Sequence, residues 1–185
     1  MCIRDSTGTQ NVNFKYDALG RRIEKNINGA NPIHYYYDGY QVIEERDGSD
    51  SLVKQYIYGN GIDEIVRVDK YSGATLTSYY FHTNSIGSVV AITDGDGKLV
   101  ERVIYDDYGK PTFIEYVSDP ANPVEKKNSI IENNILFQGR EYDSETGLYY
   151  FRARYFDPQL ARFLQIDPIG YRDSLNLYQA FNQNP

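Results

Sequence analysis

Phe14-Lys-Tyr-Asp17, Tyr35-Tyr-Tyr-Asp38 and Tyr56-Ile-Tyr-Gly59 place an aromatic ring at positions 16, 37 and 58, twice at an interval of 21 residues. The register then loosens but continues: Tyr80, in Tyr79-Tyr80-Phe81, lies 22 residues past Tyr58, and Tyr105, in Val103-Ile-Tyr-Asp106, another 25 on. A period of this size marks a repeat architecture, in which one unit cannot bury its own apolar face and stacks on its neighbours.

Inside each unit the pattern is that of a strand, a turn and a return strand. Phe14/Tyr16 and Tyr35/Tyr37 alternate with a period of two, which suits a pleated strand and not a helix. Asp17-Ala-Leu-Gly20, Asp106-Asp-Tyr-Gly109 and Asp143-Ser-Glu-Thr-Gly147 open with an Asp able to accept forward backbone N–H groups and end with a Gly that tolerates positive φ. Asp47-Gly48, Asn60-Gly61 and Asp94-Gly95-Asp96-Gly97 read as hairpin turns by the same chemistry. The expected fold is all-β, a strip of antiparallel hairpins.

Composition points the same way. The 185 residues include 19 Tyr, 8 Phe and no Trp, and tyrosine favours strands and half-wet surfaces. A net charge of −7 leaves no basic footprint for nucleic acid and no polybasic membrane patch. The single Cys2 excludes an internal disulfide and a Cys-based zinc site. No apolar run approaches the roughly 20 residues that span a bilayer, and the first ten residues lack the pattern of a signal peptide.

Four segments follow. Residues 1–11 share nothing with the repeat grammar and read as a non-native or disordered leader, of the kind carried by fragments assembled from environmental sequencing. Residues 12–117 are the hairpins. Residues 118–136, with two prolines and a charge cluster, read as a loop insertion with a return strand. Residues 137–185 form a terminal unit, with a short helix expected over 176–182 after the Asp173-Ser174 cap signal. The chain stops on a turn signal, Asn184-Pro185, and reads as cut at both ends.

Phe14-Lys-Tyr-Asp-Ala-Leu-Gly-Arg-Arg22 and Val103-Ile-Tyr-Asp-Asp-Tyr-Gly-Lys110 resemble the YD repeats of Rhs proteins. Tyr142 to Pro158, continuing through Arg162-Phe-Leu-Gln-Ile-Asp-Pro-Ile-Gly170 to Asn176-Leu-Tyr178, is similar to the Rhs repeat-associated core domain shared with Tc toxin C subunits and, more distantly, the teneurin shell. The matching positions are Tyr142, Asp143, Gly147, Tyr149, Tyr150, Arg152, Arg154, Tyr155, Asp157, Pro158, Arg162, Phe163, Pro168, Gly170, Asn176, Leu177 and Tyr178. The resemblance implies a hairpin strip spiralling into a hollow shell that holds and delivers a C-terminal polymorphic toxin, closed at one end by the core domain. It implies secretion or cell-surface association. The partners implied are neighbouring YD repeats, the enclosed toxin polypeptide, and a secretion-system or Tc-type component.

In several relatives the core domain acts as an aspartic autoprotease, and by this resemblance Asp167 of Asp167-Pro-Ile-Gly170 is the catalytic candidate. An aspartic mechanism needs a second carboxylate close enough to share a proton, and the family pattern supplies none before Pro185. Arg152, Arg154 and Arg162 are expected to pair with carboxylates of this region and fix strand register. Tyrosine faces also suit a cell-surface glycan, the adhesion alternative. A glycosidase pair at Asp143 and Glu145 is disfavoured because both occupy one turn. Asp94 and Asp96 fail as a calcium loop because Ile92 and Val103 stand where acidic ligands belong. His34 and His82 lie 48 residues apart with no Cys or HExxH partner, so no metal or other cofactor is expected.

Overall fold

The computed structural model describes residues 2–4, 11–171 and 175–181, and within them the chain is almost wholly antiparallel β. Twelve strands form one meander in sequence order: β1 (Cys2–Arg4), β2 (Asn11–Tyr16), β3 (Arg22–Ile27), β4 (Ala30–Asp38), β5 (Gln41–Arg46), β6 (Leu52–Tyr58), β7 (Ile65–Ser72), β8 (Thr75–Thr83), β9 (Val89–Thr93), β10 (Leu99–Tyr105), β11 (Pro111–Glu115) and β12 (Val124–Lys126). A second sheet holds β13 (Glu141–Asp143), β14 (Leu148–Phe151), β15 (Arg154–Asp157) and β16 (Arg162–Phe163).

One turn recurs five times, at Asp17, Asp47, Asn84, Asp94 and Asp106. In each, the first residue's N–H donates to the fifth residue's carbonyl, and its side-chain oxygen accepts the N–H of the third and fifth residues. The fourth residue takes positive φ: Gly20 at 77°, Asp50 at 63°, Gly87 at 79°, Gly97 at 77° and Gly109 at 85°. The Asp of the repeat thus satisfies backbone donors that a tight reversal would otherwise orphan.

The return strands carry a bulge in a fixed place. Lys15 and Tyr16 face Glu24 and Arg22, Tyr36 and Tyr37 face Glu44 and Val42, and Ile57 and Tyr58 face Arg67 and Ile65, so Ile23, Ile43 and Val66 are the extra residues. A bulge bends its strand and increases the local twist, and repeating it at one position curls the whole sheet one way. It also disrupts the ladder at the preceding carbonyl. Here the repeat tyrosines act: Tyr37 donates its hydroxyl to the Arg22 carbonyl at 2.7 Å, Tyr58 to Val42 at 3.1 Å and Tyr105 to Val89 at 2.6 Å. Arg22, Val42 and Val89 pair with Tyr16, Tyr37 and Thr83, the residues just past a register shift of the preceding hairpin, so in these three places one hydroxyl clamps a unit to the one before it.

The core lies on the concave face. Tyr56, Ile65, Val68, Phe81, Val89, Ile92 and Val100 from the middle strands enclose Ile131 and Ile135 of the segment after β12, which runs across the sheet as a strap. Val12 and Phe14 at one end of the strip pack on Leu148, Tyr150 and Tyr155, while Val103 and Phe113 near the other end pack on Leu136, Phe137, Tyr149, Phe156 and Phe163. Both ends of the meander therefore close on the same small sheet, which caps the concavity.

Two expectations need correction. The leader read at 1–11 is not wholly outside the fold, because Cys2–Arg4 pairs with Asn11–Asn13 as an edge strand and Asn11 begins β2. Over 176–180 the expected helix is replaced by a turn and an isolated Arg162–Gln179 bridge; Asp173, Ser174 and Asn182 lie outside the described residues. Among the described residues the cap has instead a short 3-10 turn, Phe137–Gly139. The Leu177 and Tyr178 carbonyls are taken by the N–H groups of Asp167 and Phe163, which removes them from helix formation.

Candidate functional site

The cap seats itself through a charged centre whose cations the wall supplies from β3. Arg22 opens β3 opposite Tyr16, which turns its side chain inward, and it is fully buried. Its Nη1 donates to Asp143 Oδ2 at 2.6 Å and its Nη2 pairs with Glu141 Oε1. The guanidinium lies over the rings of Phe14, Tyr150 and Tyr35, with 4.8, 4.8 and 5.2 Å to the centroids. Lys25 reaches Asp143 Oδ1 at 3.0 Å and Glu145 Oε2 at 2.7 Å.

Burial works against every charge in this cluster, and the balance differs between its two carboxylates. At Asp143 burial pushes the pKa up, but Arg22 and Lys25 together outweigh it and hold the carboxyl below its ordinary range. At Glu141 burial wins, joined by the Asp143 charge, and the pKa is raised despite Arg22. Such a group specifies one docking geometry and is intolerant of losing a member.

Tyr149 and Tyr150 add a neutral clamp on each side. They are adjacent on β14, so they leave opposite faces of the strand; Tyr149 donates to the Gly109 carbonyl at 2.7 Å and Tyr150 to the Gly20 carbonyl at 3.0 Å. Burial pushes the Tyr150 phenol up to about 12. Tyr155 and Tyr16 share a hydrogen bond between hydroxyls at 2.7 Å.

The remaining motif residues build the cap. Tyr142 packs at a 48° tilt against Tyr149, 4.8 Å between centroids, and Gly147, at φ 72°, closes the turn that Asp143 opens. Asp157 caps the turn of Pro158 through the N–H groups of Gln159 and Leu160. Phe163 is buried among aromatic rings, and Arg162 stacks on Tyr178. Asn176 accepts the Tyr178 N–H. Arg152 reaches out of the cap to Asp63, in the β6–β7 connection, at 2.5 Å, and Arg140 joins the same carboxylate at 2.9 Å.

Asp167 is held in its own turn. Its Oδ1 accepts the Ile169 N–H at 2.9 Å, its carbonyl accepts the Gly170 N–H across Pro168, and its Oδ2 pairs with Arg154 at 2.8 Å. The structure brings a cation to this carboxylate. Asp143 and Glu145, the pair weighed for glycoside chemistry, share the Lys25 ammonium on the buried side of the cap. Asp94 spends its side chain on its own turn, His82 meets Thr93, and His34 lies 3.5 Å from Glu24.

Sequence reasoning passed over Arg22, Lys25, Asp63 and Glu141. For Arg22 a signal was present: with Phe14 and Tyr16 facing inward, the return strand's first residue faces inward too, and a cation there demands a buried anion.

The Teneurin YD-shell family model matches residues 2–185. The chain is 34% identical over 178 residues to the tRNA3(Ser)-specific nuclease WapA of Bacillus spizizenii, covering 93% of the chain and 7% of that protein. It is 25% identical over 205 residues to double-stranded DNA deaminase toxin A of Burkholderia cenocepacia, covering 98% of the chain and 14% of that protein. Among solved structures, TcdB2-TccC3-Cdc42 superposes with a TM-score of 0.68 at 23% identity, over 100% of this chain and 10% of that one, a likeness of fold. The chain thus spans a small part of the relatives it matches. A curled meander of bulged hairpins, clamped unit to unit and closed by a tyrosine-rich cap, belongs to the Teneurin YD-shell family and is an Rhs/YD-shell domain.

Proposed function

We propose that this chain is the cap-bearing stretch of a toxin-enclosing shell, a wall and closure that keeps a C-terminal toxin polypeptide away from the cell that makes it until delivery. The observation that carries the reading is the paired clamp of Tyr149 on Gly109 and Tyr150 on Gly20, which ties both ends of the curled wall to one cap. Relatives named as nucleases and a deaminase toxin match this chain over a small fraction of their length, which fits a shared container with a different cargo in each. Secretion or display at the cell surface goes with that role. In this reading the wall tyrosines serve as construction, since the Tyr37, Tyr58 and Tyr105 hydroxyls are spent on backbone carbonyls and not free for a glycan. Asp167 serves as a turn aspartate fixed by Arg154.

Limited proteolysis of a longer protein carrying this segment and a C-terminal toxin tests the reading. The toxin polypeptide should survive protease in the native protein and be digested after mild acid or heat opens the shell. Equal digestion in both states would overturn it.

A further inference from the structure

The seam between cap and wall carries a second charged cluster, and unlike the Arg22 centre it is out of balance. Two cap guanidiniums converge on Asp63 of the wall: Arg152 donates to Oδ1 at 2.5 Å, and Arg140 Nη1 lies 2.9 Å from Oδ2. The Arg140 contact is poorly aligned, since Asp63 Oδ2 and Arg140 Nε are both buried without a hydrogen-bond partner among the described residues. Burial, joined by the Arg152 charge, holds the Arg140 guanidinium below its ordinary pKa although Asp63 pulls the other way. Phe151 lies under Arg140 at 5.3 Å and Tyr40 under Arg152 at 5.5 Å, so ring faces orient both cations without engaging their N–H donors.

The backbone is bent to make this meeting. Asp63 and Arg152 both take left-handed conformations, with φ of 56° and 59°, which side-chain-bearing residues adopt rarely and at a cost. Gly139, next to Arg140, comes so near the wall that a Cβ there would stand 2.9 Å from the Asp63 carbonyl oxygen. Chain geometry on both sides of the seam thus holds the cluster.

A cavity of about 60 Å³ opens beside it, lined by Arg140 and Arg152 from the cap and by Arg21, Gln41 and Asp63 from the wall. The ionisable groups of its lining, besides tyrosine, are those three arginines and the carboxylates of Asp63 and Glu141. Outside the cavity Asp17 answers Arg21 and Arg22 answers Glu141, so one positive charge is left over whether or not those partners are counted. Guanidinium forks match carboxylate and phosphate oxygens, and a space of this size admits one such group and no larger molecule.

We propose that this cavity binds one small oxyanion, a carboxylate or phosphate group, between Arg140 and Arg152 of the cap, with Arg21 and Gln41 completing the site from the wall. The anion cancels the surplus charge and gives the two cap guanidiniums acceptors. Because the site is built from both sides of the seam, an occupant joins cap to wall and stabilises the closed form by mass action. The site does not depend on what the shell encloses, so its failure would leave the enclosure reading untouched.

The test is isothermal titration of the chain with sodium phosphate and with sodium acetate, at fixed pH and with sodium chloride holding ionic strength constant. At least one of the two should bind saturably in the millimolar range and raise the unfolding temperature with the same saturation, and the tighter arm identifies the oxyanion. Arg152→Gln removes the surplus charge and should weaken binding about tenfold or more. Arg162→Gln, on β16 and outside the cavity lining, should leave the affinity unchanged. Responses no different from those to sodium chloride overturn the proposal, as does an affinity unchanged in Arg152→Gln or lowered equally in both variants. The wild-type titration decides the matter even if Arg152→Gln fails to fold.

Discussion

Tyr149 and Tyr150 are neighbours in sequence, yet their hydroxyls donate to carbonyls of turns at opposite ends of the curled wall, Gly109 at 2.7 Å and Gly20 at 3.0 Å. Replacing either by Phe removes one donor and leaves a carbonyl short of a partner. Each change should cost about 1–2 kcal/mol in urea unfolding. Because the two bonds sit on different faces and share no partner, the double variant should lose close to the sum.

Arg22→Met should be far more damaging. It strands Glu141 and Asp143 without their shared cation and removes a guanidinium packed among three rings. A loss of about 3–5 kcal/mol, or failure to accumulate folded protein, is expected. Arg22→Met combined with Asp143→Leu should recover part of that loss, measured in the same unfolding assay.

Gly109 and Gly97 occupy the same place in the repeated turn, with φ of 85° and 77°. A Cβ at Gly109 would meet the Phe137 ring at 2.5 Å, whereas at Gly97 nothing lies within 4 Å. Gly97→Ala should therefore cost about 1–2 kcal/mol, the price of left-handed backbone alone. Gly109→Ala should cost clearly more and loosen the cap, seen as faster proteolysis within 137–171.

Glu101 is buried on β10, with Oε2 accepting the Ile130 N–H of the strap at 2.8 Å. Burial pushes its carboxyl up more than that bond lowers it. A raised folded pKa means its contribution is present below the unfolded value of about 4.3 and is lost as pH rises through the folded value. Asp143, held low, works in the opposite sense and loses its contribution as pH falls below about 3.9. Glu101→Gln should flatten the decline of thermal stability on the alkaline side of pH 4.3 while leaving the acid limb in place.

Asp167→Asn keeps an acceptor for the Ile169 N–H but surrenders the charge that meets Arg154. The loss should be no more than about 1 kcal/mol. In a longer protein carrying this segment, the fragment pattern on a denaturing gel should be unchanged; loss of a cleavage band would return Asp167 to catalysis.

Much of the wall was legible because local chemistry repeats. The interval joining Tyr16, Tyr37 and Tyr58 is the interval of the hydroxyl clamps, and the Asp-to-Gly spacing of the turns is the spacing of the bonds they make. Pairings set by the curl were not legible. Arg22 finds Asp143 across 121 residues, and although half of 129–136 is aliphatic, no alternation there announces that Ile131, Ile135 and Leu136 cross the sheet to fill its core. Over 176–182 a helix signal was present, but the N–H groups of Phe163 and Asp167 take the Tyr178 and Leu177 carbonyls that a helix would need.

The clamp of one unit on the last, Tyr37 on Arg22 and Tyr58 on Val42, is indifferent to how many units precede it. The cap is not, since adjacent residues 149 and 150 must meet Gly109 and Gly20 at once. Inserting one more 21-residue hairpin between those glycines would satisfy every wall bond and still push one of the two out of reach. The width of a single β-strand therefore serves as a gauge, fixing how many hairpins this stretch of wall can hold around its cap.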